Sequence, residues 1–158
     1  SDVARSLTVN PGIVAGGTRT NVVAAGAHCD FDIRIARAID WAEVDAKFQS
    51  LRPVDERCRI QVEGALNRPP LERSDGVAAL YETARSLAVQ LGFELGETSV
   101  GGGSDGNFTA ALGVPTLDGL GAVGEGAHAV NESLFIDRIA DRTALLAGLV
   151  AGAGTREV

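Results

Sequence analysis

The chain contains no methionine, a single lysine (Lys47) and only 4% aromatic residues in 158. So few rings exclude a stacking platform for bases and a tyrosine-rich recognition face. Positive charge is also scarce: 21 acidic residues against 14 basic ones leave a net charge of −7. An acidic surface repels phosphate, so no nucleic-acid partner and no anionic membrane partner is expected. There is no run of like charge that would suggest a binding tail. Cys29 and Cys58 are the only cysteines, and no CxxC occurs. That excludes a disulfide framework and a zinc ribbon. Cys29 falls on an apolar beat of a strand pattern, so a buried free thiol is expected there. The apolar run at residues 144–151 is too short to cross a bilayer. No basic-then-apolar leader opens the chain, which favours a cytoplasmic over a secreted location. The missing methionine at position 1 has a bland explanation in processing. It also raises the question of whether 158 residues are the whole machine.

What is present is globular. Apolar residues make up 45% and charged residues 22%, enough to bury a core without a metal or disulfide. Two modules are expected, residues 1–66 and 67–158, joined by an extended stretch around Pro69-Pro70. In the first, Ser6 to Val9 reads as strand, Asn10-Pro11-Gly12 as a turn, and Ile13 to Ala15 as a possible continuation of the strand. From Ala27 the alternation is strong. Ala27, Cys29, Phe31, Ile33 and Ile35 share one face, and His28, Asp30, Asp32 and Arg34 the other. Asp40 with Glu43 resembles a capping box, and Trp41, Val44 and Phe48 mark one face of the helix that follows. Cys58, Ile60 and Val62 alternate like a further strand. In the second module, Val77, Leu80, Tyr81, Ala84, Leu87, Ala88 and Leu91 predict an amphipathic helix closed by Gly92. Strands are expected at residues 93–100 and 114–117, with a short helix between them ending at Gly113. Ile136, Ile139, Ala140, Thr143, Leu146 and Val150 mark the inward face of a final helix. Helices alternating with strands imply an α/β class.

Three groups of residues carry chemical interest. Gly101-Gly102-Gly103-Ser104-Asp105 lies between a strand pattern and a helix, where glycines let backbone approach a ligand. A tight turn explains the glycines as well, and helix capping explains Ser104 and Asp105 as well as catalysis does. Neither GxGxxG nor GK[ST] is present, so this is no nucleotide fingerprint. His128, in a loop between two glycines and Glu132, could ligate zinc, yet one imidazole is one ligand of three or four. Arg34 offers a planar fork for a substrate carboxylate; the bland alternative is a surface ion pair with its neighbouring aspartates. His28 points to solvent or a cleft. No GxSxG elbow and no paired-carboxylate motif occurs, and no catalytic residue is assigned.

The order of Arg19-Thr20-Asn21-Val22-Val23, Cys29-Asp30-Phe31-Asp32-Ile33-Arg34, Gly101 to Asp105, and Gly124-Glu125-Gly126-Ala127-His128 with Glu132 resembles one known family. This is the zinc-dependent glutamate carboxypeptidase and aminoacylase family of metallopeptidases, and the resemblance runs from about Leu7 to Ala151. It implies a partial ferredoxin-like α+β lid, which also makes a homodimer, followed by the C-terminal part of an α/β catalytic domain. It also implies that Asn21 and Arg34, thirteen residues apart, hold the substrate carboxylate. Gly102, Gly103 and Ser104 would line the pocket, and His128 would ligate one of two zinc ions. The family's other metal ligands and its general-base glutamate precede the lid and have no match in this chain. The expectation is therefore the C-terminal portion of an amidohydrolase for a small amide substrate bearing a free carboxylate, inactive as it stands. The rival expectations are a non-catalytic dimerisation or binding module and, more weakly, an anion site at the Gly101 loop.

Overall fold

The computed structural model describes residues 1–153. They form two compact units, one of residues 1–72 with 101–103, the other of residues 73–100 and 104 onwards. Helices and small antiparallel sheets together give the mixed α/β class that the sequence predicts.

In the first unit β1 (Thr8–Gly16) pairs antiparallel with β2 (Ala27–Arg34), and α1 (Asp40–Gln49) follows. The expected turn at Asn10-Pro11-Gly12 does not form, because β1 runs through it. Pro11 pairs with Phe31 and Ile13 with Asp30, so Gly12 is the extra residue of a bulge. A bulge on an edge strand is where a residue without an amide hydrogen is tolerated. Only Leu7 and Val44 bury apolar side chains fully in this unit. Phe31 meets Phe48 edge-on, with centroids 5.2 Å apart and planes at 73°. Thus Trp41, Val44 and Phe48 do face inward, Val44 buried and the other two half-buried. Cys29, by contrast, is exposed, as is Cys58. A two-stranded sheet next to one short helix leaves the far end of its apolar face uncovered.

Asp40 does not cap α1. The helix begins at Asp40 itself, with Ile39 at the cap position and no side-chain cap bond. The Asp40 carboxylate is buried and taken by two guanidinium groups instead: Arg5 at 2.6 Å and Arg37 at 2.7 and 3.0 Å. Arg5 also bonds Glu43 at 2.8 Å, and Lys47 bonds Glu43 at 2.6 Å. Pairing of a carboxylate with two guanidinium groups, one of them bidentate, takes the place of a backbone cap here. Hydrogen bonds from Arg37 and Arg5 lower the Asp40 pKa from 3.8 to about 2. Those from Arg5 and Lys47 lower Glu43 from 4.5 to about 2. A depressed carboxylate contributes stability that is present above its unfolded pKa and lost as pH falls towards its folded one. The thermal midpoint of this unit should therefore hold steady down to about pH 5 and fall between about pH 4 and 2. Asp40→Asn should flatten much of that fall; an unchanged acid limb would contradict the ion-pair cluster.

The second unit is built on α2 (Asp75–Gln90), α3 (Gly106–Ala111) and α4 (Ile139–Ala153), with the minimal ladder of β3 (Gly124–Glu125) and β4 (Ser133–Leu134). Ser74 caps α2 by accepting from the Val77 amide, and Gly92 ends it at φ 87°. The α2 face is as expected except at its end: Ala84 and Ala88 are buried, Val77, Leu80, Tyr81 and Leu87 are half-buried, and Leu91 is exposed where the helix gives out before Gly92. The face of α4 is not. Leu145 is fully buried and Gly148 packs against Leu87, while Ile139, Leu146 and Val150 stand exposed. Because α4 is apolar on nearly every side, spacing offers two candidate stripes, and packing against α2 selects the one with the glycine.

Residues 58–63, 93–100 and 114–117 do not form strands. Alternation gives a segment two faces, but a strand also needs a partner, and these segments have none among the described residues. The Tyr81 hydroxyl donates to the Leu95 carbonyl at 2.9 Å, and Arg73 pairs with Glu97 at 3.0 Å, so the middle segment is tied to α2 without a ladder.

Candidate functional site

Arg34 ends β2. Asp32 lies two residues back and hence on the same face. Arg34 Nε donates to Asp32 Oδ2 at 2.8 Å, and Arg34 Nη1 donates to the Gly101 carbonyl at 3.2 Å. The fold thus brings together two features 67 residues apart in sequence, the guanidinium fork and the start of the triple-glycine loop. More than half of the Arg34 side chain is exposed. Gly102 has open space around its α-carbon. Gly103 continues the loop in the same unit.

Ser104 turns the chain into α3. Its amide donates to Asn107 Oδ1 at 2.8 Å, and its hydroxyl accepts from the Gly106 amide at 3.1 Å. The hydroxyl therefore does capping work at the helix start. Asn107 is buried, its side chain held by the Ser104 amide. Sequence reading missed it, and the signal was there: a polar residue three positions after a serine at a helix entry.

Asn21 is exposed in the β1–β2 connection. Gly16 pairs with Ala27 at that end of the hairpin, and Thr8 pairs with Arg34 at the other. The connection that carries Asn21 thus leaves and rejoins the hairpin at the end of β2 opposite Arg34, and β2 is roughly 23 Å long at a strand's rise per residue.

His128 sits in the loop between β3 and β4. Bonds from the Ala129 amide to the Gly126 carbonyl (2.8 Å) and from the Glu132 amide to the Ala129 carbonyl (3.1 Å) tighten that loop. The Glu132 carboxylate accepts from the His128 amide at 3.4 Å. His128 has φ 67°, a left-handed conformation that histidine visits more readily than most residues but still at a cost. Its side chain is exposed. His128→Gly should stabilise the second unit by about 1 kcal/mol by removing that strain. A lower melting temperature for this variant would show that the imidazole holds the loop. On the other side of the second unit's glycine-rich stretch, Arg142 from α4 donates to the carbonyls of Gly119 and Gly121, the latter at 2.9 Å. No spacing or motif in the sequence points to this brace.

The donor set does not build a zinc site by itself. Among the described residues no three of His, Cys, Asp and Glu converge on a point where a metal ion would be held. His128 contributes one imidazole, and Glu132 is engaged with the backbone beside it. Among the described residues no helix is long and apolar enough to cross a membrane.

A model of the peptidase family M20/M25/M40 matches residues 2–152. The chain belongs to this family. The motif order read from the sequence pointed to the same metallopeptidases. Carboxypeptidase G2 of Pseudomonas sp. (strain RS-16) is 29% identical over 160 residues, covering 97% of this chain and 38% of that protein. The uncharacterized protein YqjE of Bacillus subtilis (strain 168) is 28% identical over 154 residues, covering 94% of this chain and 40% of that protein. The chain thus spans about two-fifths of the length of these M20/M25/M40 relatives.

Proposed function

We propose that these residues form the carboxyl-terminal portion of a longer, zinc-dependent amidohydrolase. It cleaves the amide bond of a peptidyl or N-acyl amino acid that bears a free carboxylate. The observation that carries this reading is the junction of Arg34 with the Gly101 carbonyl. It sets a permanently charged planar donor beside a loop of open backbone, the combination that recognises a carboxylate next to an amide. Arg34 holds the carboxylate, Gly102 and Gly103 give the substrate backbone room, and Ser104 keeps the loop shaped. His128 supplies one ligand to zinc, and the remaining ligands and the general base lie outside these residues. Carboxypeptidase G2, by its name a carboxypeptidase, supports the reaction class. Three alternating segments without partners and the exposed stripe of α4 support the presence of further chain to cover them.

Asn21, carried by the β1–β2 connection, is the second residue that holds this carboxylate. The unpaired edges of the β1–β2 sheet favour a homodimer through this unit as a second property. The test is hydrolysis of N-benzoyl-L-glutamate by the full-length polypeptide. Activity lost on chelation and restored by zinc supports the proposal, and activity indifferent to chelation refutes it.

A further inference from the structure

Resting on the carboxylate role of Arg34 just proposed, we infer that Asp32 is a positioning residue which fixes the edge of the Arg34 guanidinium that meets substrate. A free arginine side chain can present any of its edges, because it rotates about several bonds and carries five N–H donors. Here two of those donors are committed. Asp32 Oδ2 takes Nε at 2.8 Å, and the Gly101 carbonyl takes one proton of Nη1 at 3.2 Å. The glycine lies along the Cδ–Nη1 side of the group: a β-carbon at Gly101 would be 3.8 Å from Arg34 Cδ and 3.9 Å from Nη1. Three N–H groups remain, and two of them, one from Nη1 and one from Nη2, make the end-on edge, parallel and in plane. That edge matches the two oxygens of a carboxylate and does not match a carboxamide, which offers one acceptor and presents two N–H groups.

As a surface ion pair the Asp32–Arg34 contact is worth little, since both side chains are more than half exposed. As one of two tethers on a recognition group its effect appears in substrate binding, because the ordering of Arg34 has been completed before the substrate arrives. Asp32 touches no reacting atom, so its loss should change KM and leave kcat in place.

Two measurements test this. In the 158-residue chain, NMR of the arginine side chains should show the Arg34 Nε–H signal protected from solvent exchange. Asp32→Asn should shift it and speed its exchange, and an unmoved signal would overturn the clamp. In the full-length polypeptide, Asp32→Asn should raise KM for N-benzoyl-L-glutamate about 3- to 5-fold, with kcat unchanged. Asp32→Glu, which keeps the carboxylate, should recover part of that loss. In an Arg34→Ala background Asp32→Asn should have no further effect. An equal KM rise with Asn and Glu, or an additive effect without Arg34, would make Asp32 merely structural and overturn the inference. If Arg34→Ala alone leaves KM unchanged, the carboxylate role of Arg34 fails, and the inference fails with it. If Arg34→Ala raises KM and Asp32→Asn does not, only the positioning role is lost.

Discussion

Arg34→Ala in the full-length polypeptide should raise KM for a free-carboxylate amide substrate about 100-fold while changing kcat little. Truncation removes the charged fork at the Gly101 loop. The substrate carboxylate is not itself altered in the reaction, so an interaction with it is shared by ground and transition states and its loss appears in KM. Fold stability should barely move, because Arg34 is more than half exposed and its ion pair with Asp32 is exposed too. Arg34→Lys should recover little, since an ammonium cannot make the planar two-point contact. An unchanged KM with intact folding would remove Arg34 from the substrate site.

Gly124→Ala should destabilise the second unit by about 2 kcal/mol or more. Gly124 pairs with Leu134 in the short ladder that closes the His128 loop. A β-carbon there would overlap the Ser133 carbonyl oxygen, 3.2 Å from its carbon and 3.3 Å from the Leu134 α-carbon. Those are backbone atoms, so no side chain can swing aside to make room. The ladder must open, and His128 moves with it. A wild-type melting temperature for this variant would mean that the β3–β4 pairing is not rigid. Gly102→Ala is the matched control, because that position has open space.

Elements with one polar and one apolar side were legible in the sequence. The face of α2, Leu91 apart, and the inward stripe of α1 follow the spacing, because each offers only one way to bury its apolar residues. The face of α4 does not, because Leu145 and Leu146 are equally apolar and only the fit of Gly148 to Leu87 decides between them. The strand patterns at residues 58–63, 93–100 and 114–117 record a preference for extended chain, and a ladder needs a second segment that periodicity does not reveal. Asp40 shows a different limit. Its spacing to Glu43 fits a capping box, but Arg5, 35 residues away, competes for the carboxylate and wins. At the candidate site the residue types were legible and their meeting was not. Nothing in the spacing of Arg34 and Gly101 says that they touch.

The most direct test sets the purified 158-residue chain beside the full-length polypeptide. After dialysis against zinc and then buffer, bound metal and hydrolysis of N-benzoyl-L-glutamate are measured in both. The full-length polypeptide should retain zinc and turn over substrate. The 158-residue chain should do neither, because His128 alone does not make a ligand set. One tightly bound zinc per 158-residue chain, with zinc-dependent cleavage, would contradict the assignment of the remaining ligands to other residues.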